Sequence, residues 1–316
     1  MFILIKFVSI SNNLIMASTI IPKKPDKGDP SDILQNFPNY NIKIHCCRYW
    51  WLKNWEFNEL SYPYWRIYYN DKPGAKIFHQ NKEVELSSNK IIIIAPNTSY
   101  STRIDNNALP ENEYNIKGGR IDKQNFNEAK QYISHLFIHF NIGFPYDNIS
   151  PGIFEIEADS GLLNKIKLIT THLKETNTNF NFSINIIIHS FINDILSHIP
   201  ESSWGLISND NRILSVLNFV EENISYNLDN ETLATEANMA TNSFIRLFKQ
   251  EIGITPQLFV KRKRVDEACV MLHHLDLSIN TIASKTGFAD RYHFSRIFKQ
   301  KTGFSPAQYR KNLIIR

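Results

Sequence analysis

The last part of the chain, residues 233–316, contains one sequence pattern twice, about fifty positions apart. Both copies read Phe, any residue, Arg, an apolar residue, Phe, Lys and Gln, with a Gly and a Pro after them: 244–250 with Gly253 and Pro256, and 294–300 with Gly303 and Pro306. A short helical pattern precedes each copy, at 233–236 and at 282–285. The duplication predicts two copies of one helix–turn–helix unit, because a repeat of this length is one supersecondary unit.

Helical periodicity divides each copy into an apolar face and a polar face. The side chains predicted to face inward are aromatic or aliphatic: Phe244, Leu247, Phe248, Phe294, Ile297 and Phe298. The side chains predicted to face outward, as candidate DNA contacts, are Asn242, Ile245, Arg246, Lys249, Tyr292, Ser295, Arg296 and Lys299. Arg can bond guanine and Asn can bond adenine in a bidentate manner, whereas Lys249 and Lys299, one turn further along, suit phosphates.

The charge of the chain is distributed unevenly. Its 316 residues carry a formal net charge of +4. Residues 211–316 hold 15 Lys and Arg against 10 Asp and Glu, whereas residues 1–210 hold 20 against 21. The positive charge therefore lies in the part that carries the repeat, as expected of a module that binds double-stranded DNA.

A basic stretch, 261–264, lies between the two copies and is predicted to open a long helix with core-spaced apolar residues after it. Such a helix would fix the separation of the two outward faces. That separation is roughly 34 Å if both copies enter successive major grooves on one side of a duplex. The four basic side chains are interpreted either as phosphate contacts or as a solvated surface.

The last hundred residues, about a third of the chain, resemble the DNA-binding domain of the AraC/XylS family of bacterial transcription regulators. The most specific matching stretches are 287–290, 294–299, 303–306, Tyr309 and Arg310. The resemblance implies a seven-helix DNA-binding domain, assigned here to 212–316, and control of transcription, as an activator, through contacts with RNA polymerase.

The resemblance also implies which residues face bases or the adjacent backbone: Asn242, Ile245, Arg246, Arg291, Tyr292, Ser295 and Arg296. Ser243, in the turn of the first copy, completes the set of candidate DNA contacts. Ile245 departs from the family pattern, because a polar residue is common at that position. Its side chain suits contact with a thymine methyl group instead of a hydrogen bond.

Residues 40–158 have the pattern of short β-strands separated by turns. Strands are predicted at 64–69, 75–79, 84–86, 91–94 and 135–140, and their number and spacing favour a small barrel or jelly roll. Apolar residues then recur every three or four positions over 159–198, which predicts two amphipathic helices. Residues 199–211 have the composition of a linker.

The predicted fold class is therefore α+β, with a β-barrel and a helix pair ahead of an all-α double helix–turn–helix domain. The family resemblance makes the barrel cupin-like and implies that it senses an effector. The helix pair is expected to form a homodimer interface, although it could instead merely cover the barrel.

The density of aromatic residues in the barrel region suggests a surface on which a sugar or another flat ligand could stack. The candidate effector-binding residues are Trp65, Tyr68 and His79. A packed aromatic core explains the same composition. Two readings of the front domain thus stay open: a small-molecule sensor, or a barrel that only dimerises in a ligand-independent regulator.

Sequence gives little support to an enzyme. His135 and His139 share a strand face, but no acidic residue joins them in the pattern of a cupin-type metal enzyme. Cys46 and Cys47 are adjacent and, with Cys269, lack the spacing of a zinc site, and nothing marks either as an activated nucleophile for methyl-transfer repair. No catalytic residue, metal site or cofactor is predicted.

Residues 1–39 are predicted to be a flexible N-terminal extension, with Met16 as an alternative translation start. The apolar run at the N-terminus is broken by Lys6, Asn12 and Asn13, and is too short to cross a membrane. No membrane association is expected. The expected location is the cytoplasm of a bacterium, on the nucleoid.

Overall fold

A computed structural model of the chain describes residues 40–105, 107, 115–176, 178–204, 208 and 210–313. The predicted N-terminal extension, 1–39, lies outside the described residues. The described residues form one compact unit. None of the described helices is both long enough and apolar enough to cross a membrane.

The described part of the front domain is built on nine strands and one short helix. In chain order they are β1 (Lys43–Leu60), β2 (Trp65–Asn70), β3 (Ala75–His79), β4 (Lys82–Glu85), β5 (Lys90–Ile94), β6 (Tyr100–Ile104), β7 (Asn115–Arg120), α1 (Phe126–Ala129), β8 (Ile133–Asn141) and β9 (Ile153–Glu157). The five predicted strands are confirmed as β2, β3, β4, β5 and β8. The length of β1 was not predicted, because its aromatic and polar residues do not alternate regularly.

The strands form one curled antiparallel sheet in the order β4-β3-β6-β1-β8-β2-β5-β9, with β7 also paired to β1. Strand β1 spans the curl, because its first half pairs with β8 and its last residues pair with β6. The register shifts three times along β1: between Ile44 and Cys46 against β8, between Leu52 and Asn54 against β7, and between Phe57 and Leu60 against β6. Bulges of this kind bend a strand and increase its twist, so β1 wraps the sheet into the predicted cupin-like barrel.

The two faces of the sheet pack into separate cores. Leu136, Ile138 and Phe140 of β8 belong to a core shared with the helix pair, whereas Ile133 belongs to a core rich in aromatic residues on the inner face. This division follows from the two-residue alternation of a strand.

The helix pair consists of α2 (Ser160–Glu175) and α3 (Phe182–Leu196), which lie against the outer face of the sheet. Asp159 and Asn181 start these helices, because their side chains accept hydrogen bonds from the N–H groups of Leu162 at 2.8 Å and Ile184 at 3.0 Å. Such caps satisfy N–H groups that have no partner within the helix.

The C-terminal domain is all α. Its helices are α4 (Asn211–Glu222), α5 (Asn230–Glu236), α6 (Thr241–Ile252), α7 (Pro256–His274), α8 (Ile279–Lys285), α9 (Arg291–Thr302) and α10 (Pro306–Leu313). The pairs α5–α6 and α8–α9 are the two predicted helix–turn–helix units, and α7 joins them. The α+β fold with a double helix–turn–helix domain is thus confirmed.

Helix α7 begins at Pro256, not at the basic stretch 261–264, so that stretch lies inside the helix. Proline is favoured at the first position of a helix, because its missing N–H would have no partner there. Thr255 caps this end, with its hydroxyl 3.4 Å from the N–H of Leu258.

Helix α7 also packs against the barrel. Val270 belongs to the aromatic core of the inner sheet face, and Glu267 accepts a hydrogen bond from Lys43 of β1 at 3.0 Å. Phe144, which follows β8, packs edge-on against Phe259 at 5.7 Å between ring centroids. The same helix thus contacts the barrel and both helix–turn–helix units.

Candidate nucleic-acid interface

Helix α6 of the first unit is anchored by two aromatic side chains. Phe244 and Phe248 are fully buried and contact each other, with ring centroids 5.6 Å apart. The helix ends at Gly253, whose φ of 80° is left-handed and favours glycine. This packing fixes which face of α6 is turned to solvent.

The exposed face of α6 carries most of the candidate contacts. Asn242, Ser243, Arg246 and Lys249 are exposed. Ile245 is half-buried, and its side chain packs in part against the core of this unit. An apolar side chain with a place in the core gains free energy by turning inward.

Helix α9 of the second unit repeats this arrangement. Phe294 and Phe298 are fully buried, with ring centroids 5.4 Å apart, and the helix ends at Gly303 with a φ of 82°. Of the candidate contacts on this helix, Arg291, Tyr292, Arg296 and Lys299 are exposed, and Ser295 is half-buried.

Tyr292 stands out at the start of α9 because 86% of this large aromatic residue is exposed. The carboxylate of Asp290 accepts hydrogen bonds from the N–H groups of Tyr292 and His293, both at 2.8 Å. These N–H groups hold the pKa of Asp290 below its ordinary value. The cap therefore fixes the end of the helix that presents Tyr292.

The basic stretch 261–264 does not offer four free cations. Lys263 forms an ion pair with Glu221 at 2.7 Å, and Arg264 donates to the backbone oxygens of Ile224 at 3.2 Å and Tyr226 at 2.6 Å. Lys263 thus holds α7 against the end of α4, and Arg264 holds it against the loop after α4. Of the four basic side chains, Lys261 and Arg262 are the exposed ones.

The three candidate effector residues are not brought together. Trp65 belongs to the core shared with the helix pair, whereas Tyr68 belongs to the core of the inner face. Their positions differ by an odd number on one strand, so their side chains point to opposite faces of the sheet. His79, at the end of β3, is hydrogen-bonded to the backbone oxygen of Ser99 at 2.6 Å.

The inner face holds a buried arginine. Arg66 lies between the rings of Tyr62 and Tyr100, at 4.4 and 4.5 Å from their centroids. Its Nη1 donates to the hydroxyl of Tyr100 at 2.7 Å. Its Nε and Nη2 have no hydrogen-bond partner among the described residues. The aromatic rings supply part of the stabilisation that a buried guanidinium requires.

A cluster of histidines, which the sequence analysis missed, lies where α7 meets the inner face. The side chains that form it come from β1, from the residue before β2, from β8 and from α7: His45, Cys46, Tyr64, His139, His273 and His274. The rings of His273 and His274 stack with centroids 4.4 Å apart, and His274 stacks on His45 at 5.7 Å. The hydroxyl of Tyr64 is hydrogen-bonded to Nδ1 of His273.

No local sequence signal marks this cluster, because its histidines come from positions 45, 139, 273 and 274. The placement of His135 and His139 on one strand face gave a partial indication, but the ring of His135 is hydrogen-bonded to Asn70 at 2.6 Å. Contact between such distant positions depends on how α7 docks on the sheet.

Comparison with known proteins shows what the C-terminal domain is similar to. Residues 233–312, which cover both helix–turn–helix units, match the family model described as a helix-turn-helix domain. This match supports the resemblance of the C-terminal domain to the AraC/XylS family. The resemblance inferred from the repeat is confirmed.

The curated proteins that this chain is similar to include transcriptional activators. It is 33% identical over 107 residues to the HTH-type transcriptional activator RhaS of Enterobacter sp. (strain 638), over 34% of this chain and 38% of that protein. It is 32% identical over 107 residues to RhaS of Citrobacter koseri, over the same shares. The chain thus spans well under half the length of the relatives it matches.

Two solved structures are similar to parts of this chain. The DNA-binding domain of AdpA, in complex with a target DNA, is 30% identical and covers 32% of this chain and 90% of that one, with a TM-score of 0.31. ToxT from Vibrio cholerae is 13% identical and covers 88% of this chain and 100% of that one, with a TM-score of 0.46.

Proposed function

We propose that this protein is a sequence-specific DNA-binding transcription regulator with a sensing front domain. The observation that carries the proposal is the matched exposure of Arg246 and Arg296 on two helices of equal length, each anchored by a buried Phe pair. Helix–turn–helix proteins place such a helix in the major groove. The proposal includes no catalytic step.

The exposed side chains have two proposed roles, base reading and phosphate binding. Arg246, Arg296 and Asn242 are of the types that read base edges, because they can make bidentate hydrogen bonds to guanine or adenine. Lys249 and Lys299 lie one turn further along and are proposed to bind phosphates, which set affinity and register. Ser243, Arg291, Tyr292 and Ser295 complete the proposed contact surface.

The proposed regulator acts as an activator that contacts RNA polymerase, by analogy with relatives named as transcriptional activators. Its place of action is the nucleoid, in the bacterial cytoplasm. The front domain is proposed to bind a small molecule. A groove of about 200 Å³ between the barrel and the C-terminal domain, lined in part by Tyr62, Asn97, Lys301 and Tyr309, is a candidate effector site.

A homodimer is proposed through the helix pair. Phe182 is 79% exposed, Ile186 is 51% exposed and Leu168 is 44% exposed. Phe182 and Ile186 are four residues apart and therefore share one face of α3. An exposed apolar patch on a helix pair that already covers the sheet is typical of a protein–protein contact, and a second copy of the chain is the proposed partner.

The test is DNA binding by the full chain, first to a library of random duplexes to select a preferred site. We expect an enriched sequence whose affinity falls steeply as salt rises, because bound phosphates release counterions. Arg296→Ala should lower the preference for the selected site over random duplex by about 10- to 100-fold. Lys299→Ala should instead weaken binding to both duplexes equally.

Lys53→Ala provides the matched control, because Lys53 is an exposed lysine of the barrel. Its binding to both duplexes should equal that of the unmodified protein. Selection that enriches no sequence contradicts the proposal, and equal losses on both duplexes for Arg296→Ala contradict base reading by that residue.

A further inference from the structure

Three side chains at the junction of the barrel and α7 converge on one point. The ligand atoms of Cys46 on β1, His139 on β8 and His274 at the end of α7 all lie within 4.8 Å of one another. Cys46 and His139 are direct neighbours across the β1–β8 ladder. His274 reaches them only because α7 docks on the barrel.

An irregularity in β1 aims Cys46 at this point. The register of β1 against β8 shifts between Ile44 and Cys46, so that His45 is an extra residue in the strand. Ile44 and Cys47 therefore both face the core shared with the helix pair, although their positions differ by an odd number. The bulge leaves His45 and Cys46 on the opposite side, where His139 and His274 lie.

The nitrogen atoms at this point are buried and have nothing to bind. Both ring nitrogens of His139, which is only 5% exposed, and Nε2 of His274 have no hydrogen-bond partner among the described residues. A buried polar atom without a partner costs about 1–3 kcal/mol. Burial, reinforced by the neighbouring His274 and His273, also lowers the pKa of His139 well below its ordinary value. The imidazole is therefore neutral, which is the form that binds metal ions.

We propose that Cys46, His139 and His274 bind a thiophilic cation with a filled d shell, Zn²⁺ or Cu⁺, between the barrel and α7. One sulfur and two imidazole nitrogens suit either ion. Binding exchanges the thiol proton of Cys46 for a metal–sulfur bond, and the proton passes to solvent. The ligand atoms of a zinc site lie about 3–4 Å apart. The ligand atoms here lie within 4.8 Å of one another, so they must approach one another by about 1 Å to bind the ion.

The surroundings hold the three ligands in place and affect the choice of ion. His45 donates from Nε2 to Asn141 at 2.7 Å, and its ring stacks on His274. Arg66 and Arg48 act electrostatically on the ligands His139 and Cys46. These positive charges favour Cu⁺ over Zn²⁺, because Cu⁺ with one thiolate leaves no net charge.

The proposed ion would join the barrel to the helix that connects both helix–turn–helix units. Metal binding is a property of this junction alone, so it stands or falls independently of the DNA-binding proposal. The experiment is therefore done on the full chain without DNA.

Purified protein is stripped with a chelator and titrated with Zn²⁺, and separately with Cu⁺ under reducing, oxygen-free conditions, in competition with a chromogenic chelator. Co²⁺ replaces Zn²⁺ in a third titration, because tetrahedral cobalt bound to a thiolate absorbs visible and near-ultraviolet light. We expect one ion per chain, with a thiolate-to-cobalt absorption band.

Cys46→Ser and His274→Gln should each weaken binding at least about 100-fold, since even the loss of an outer partner of a metal ligand costs about 10- to 100-fold. Cys47→Ala is the matched control, because this neighbouring thiol faces the other core. It should bind the ion like the unmodified protein. Circular dichroism of each variant establishes that it is folded.

A site that takes either ion and is lost in both ligand variants supports the proposal, and the tighter ion identifies the occupant. The absence of a bound equivalent for both ions overturns it. Binding that survives unchanged in folded Cys46→Ser and His274→Gln also overturns it, because the ion would then sit elsewhere on the chain.

Discussion

At the scale of single residues, the glycines of the two helix–turn–helix units that have left-handed φ angles differ in the space around them. Gly253 and Gly303 end α6 and α9 with left-handed φ angles, and a Cβ atom on either would meet no atom within 4 Å. Gly287 precedes α9 with a φ of 73°, but a Cβ there would lie 2.6 Å from the backbone oxygen of Ile224 and 2.7 Å from the guanidinium carbon of Arg264. Gly287 therefore permits close packing of the turn against α7.

The first prediction concerns these glycines. Gly287→Ala should lower the free energy of unfolding by about 2–4 kcal/mol, because left-handed backbone strain of about 1 kcal/mol adds to the displacement of packed atoms. Gly303→Ala is the control and should cost only about 1 kcal/mol, since its strain is the same and its space is open. Denaturant unfolding of both variants is the measurement, and equal losses would contradict the packing argument.

Helix ends give the second prediction. Asp290 caps α9 through two N–H groups, whereas Ala240, at the matching position before α6, has no side chain that could accept a hydrogen bond. Ala240 is exposed and has the extended backbone of a cap residue, with φ −65° and ψ 139°. Ala240→Ser should therefore stabilise the protein by about 0.5–1 kcal/mol.

The reciprocal variant, Asp290→Ala, should destabilise the protein by about 0.5–2 kcal/mol. Thermal unfolding, followed by circular dichroism, measures both changes. A destabilised Ala240→Ser protein would show that α6 does not start where the cap geometry places it.

At the scale of elements, local pattern predicted those features that depend on periodicity. The repeat around Phe244 and Phe294 predicted both helix–turn–helix units, because a buried Phe pair recurs at helical spacing. The β-branched run at 91–94 predicted β5. The pattern did not predict β1, because bulges interrupt its alternation. It also did not predict the start of α7 at Pro256, because the prediction placed the first turn of the helix at the basic stretch 261–264.

Contacts between distant elements were not predictable from pattern. Lys263 and Arg264 read as surface cations, but they bind Glu221 and two backbone oxygens about 40 positions away. Trp65 and Tyr68 read as one aromatic surface, but the alternation of β2 separates them. In both cases the residue types were clear from the sequence, but what each side chain contacts depends on elements distant in the chain.

The junction at Glu221 gives the third prediction. One carboxylate oxygen of Glu221 accepts from the N–H of Phe144 at 3.0 Å and from Lys263 at 2.7 Å, so it joins the loop after β8 to α4 and α7. Glu221→Ala leaves the N–H of Phe144 and the ammonium of Lys263, whose side chain is 22% exposed, without this partner. It should lower the free energy of unfolding by about 1–3 kcal/mol.

Glu222→Ala is the control for this junction, because Glu222 is the exposed neighbour of Glu221 at the same end of α4. Its unfolding should change by less than about 0.5 kcal/mol. Similar losses for the two variants would show that the Glu221 contacts do not stabilise the junction.

At the scale of the whole molecule, the barrel and the C-terminal domain meet through a polar and aromatic junction that holds the proposed metal ligands. An ion that binds only the folded chain stabilises it by about 2.7 kcal/mol when its free concentration is 100 times its dissociation constant. The fourth prediction is that this concentration of the tighter ion raises the unfolding free energy by that amount, and that His274→Gln removes the gain. Denaturant unfolding with and without the ion measures it.

Helix α7 contributes Phe259 and Val260 to the core of the first unit, Val265 and Leu272 to that of the second, and Val270 to the barrel. With 19 residues it is a rod about 28 Å long. A tilt of about 5° at its barrel end displaces its far end by about 2.4 Å, which approaches the length of a hydrogen bond. Because α7 packs in the cores of both helix–turn–helix units, a small movement at the barrel would be transmitted mechanically to both units at once, and with them to the proposed DNA contacts.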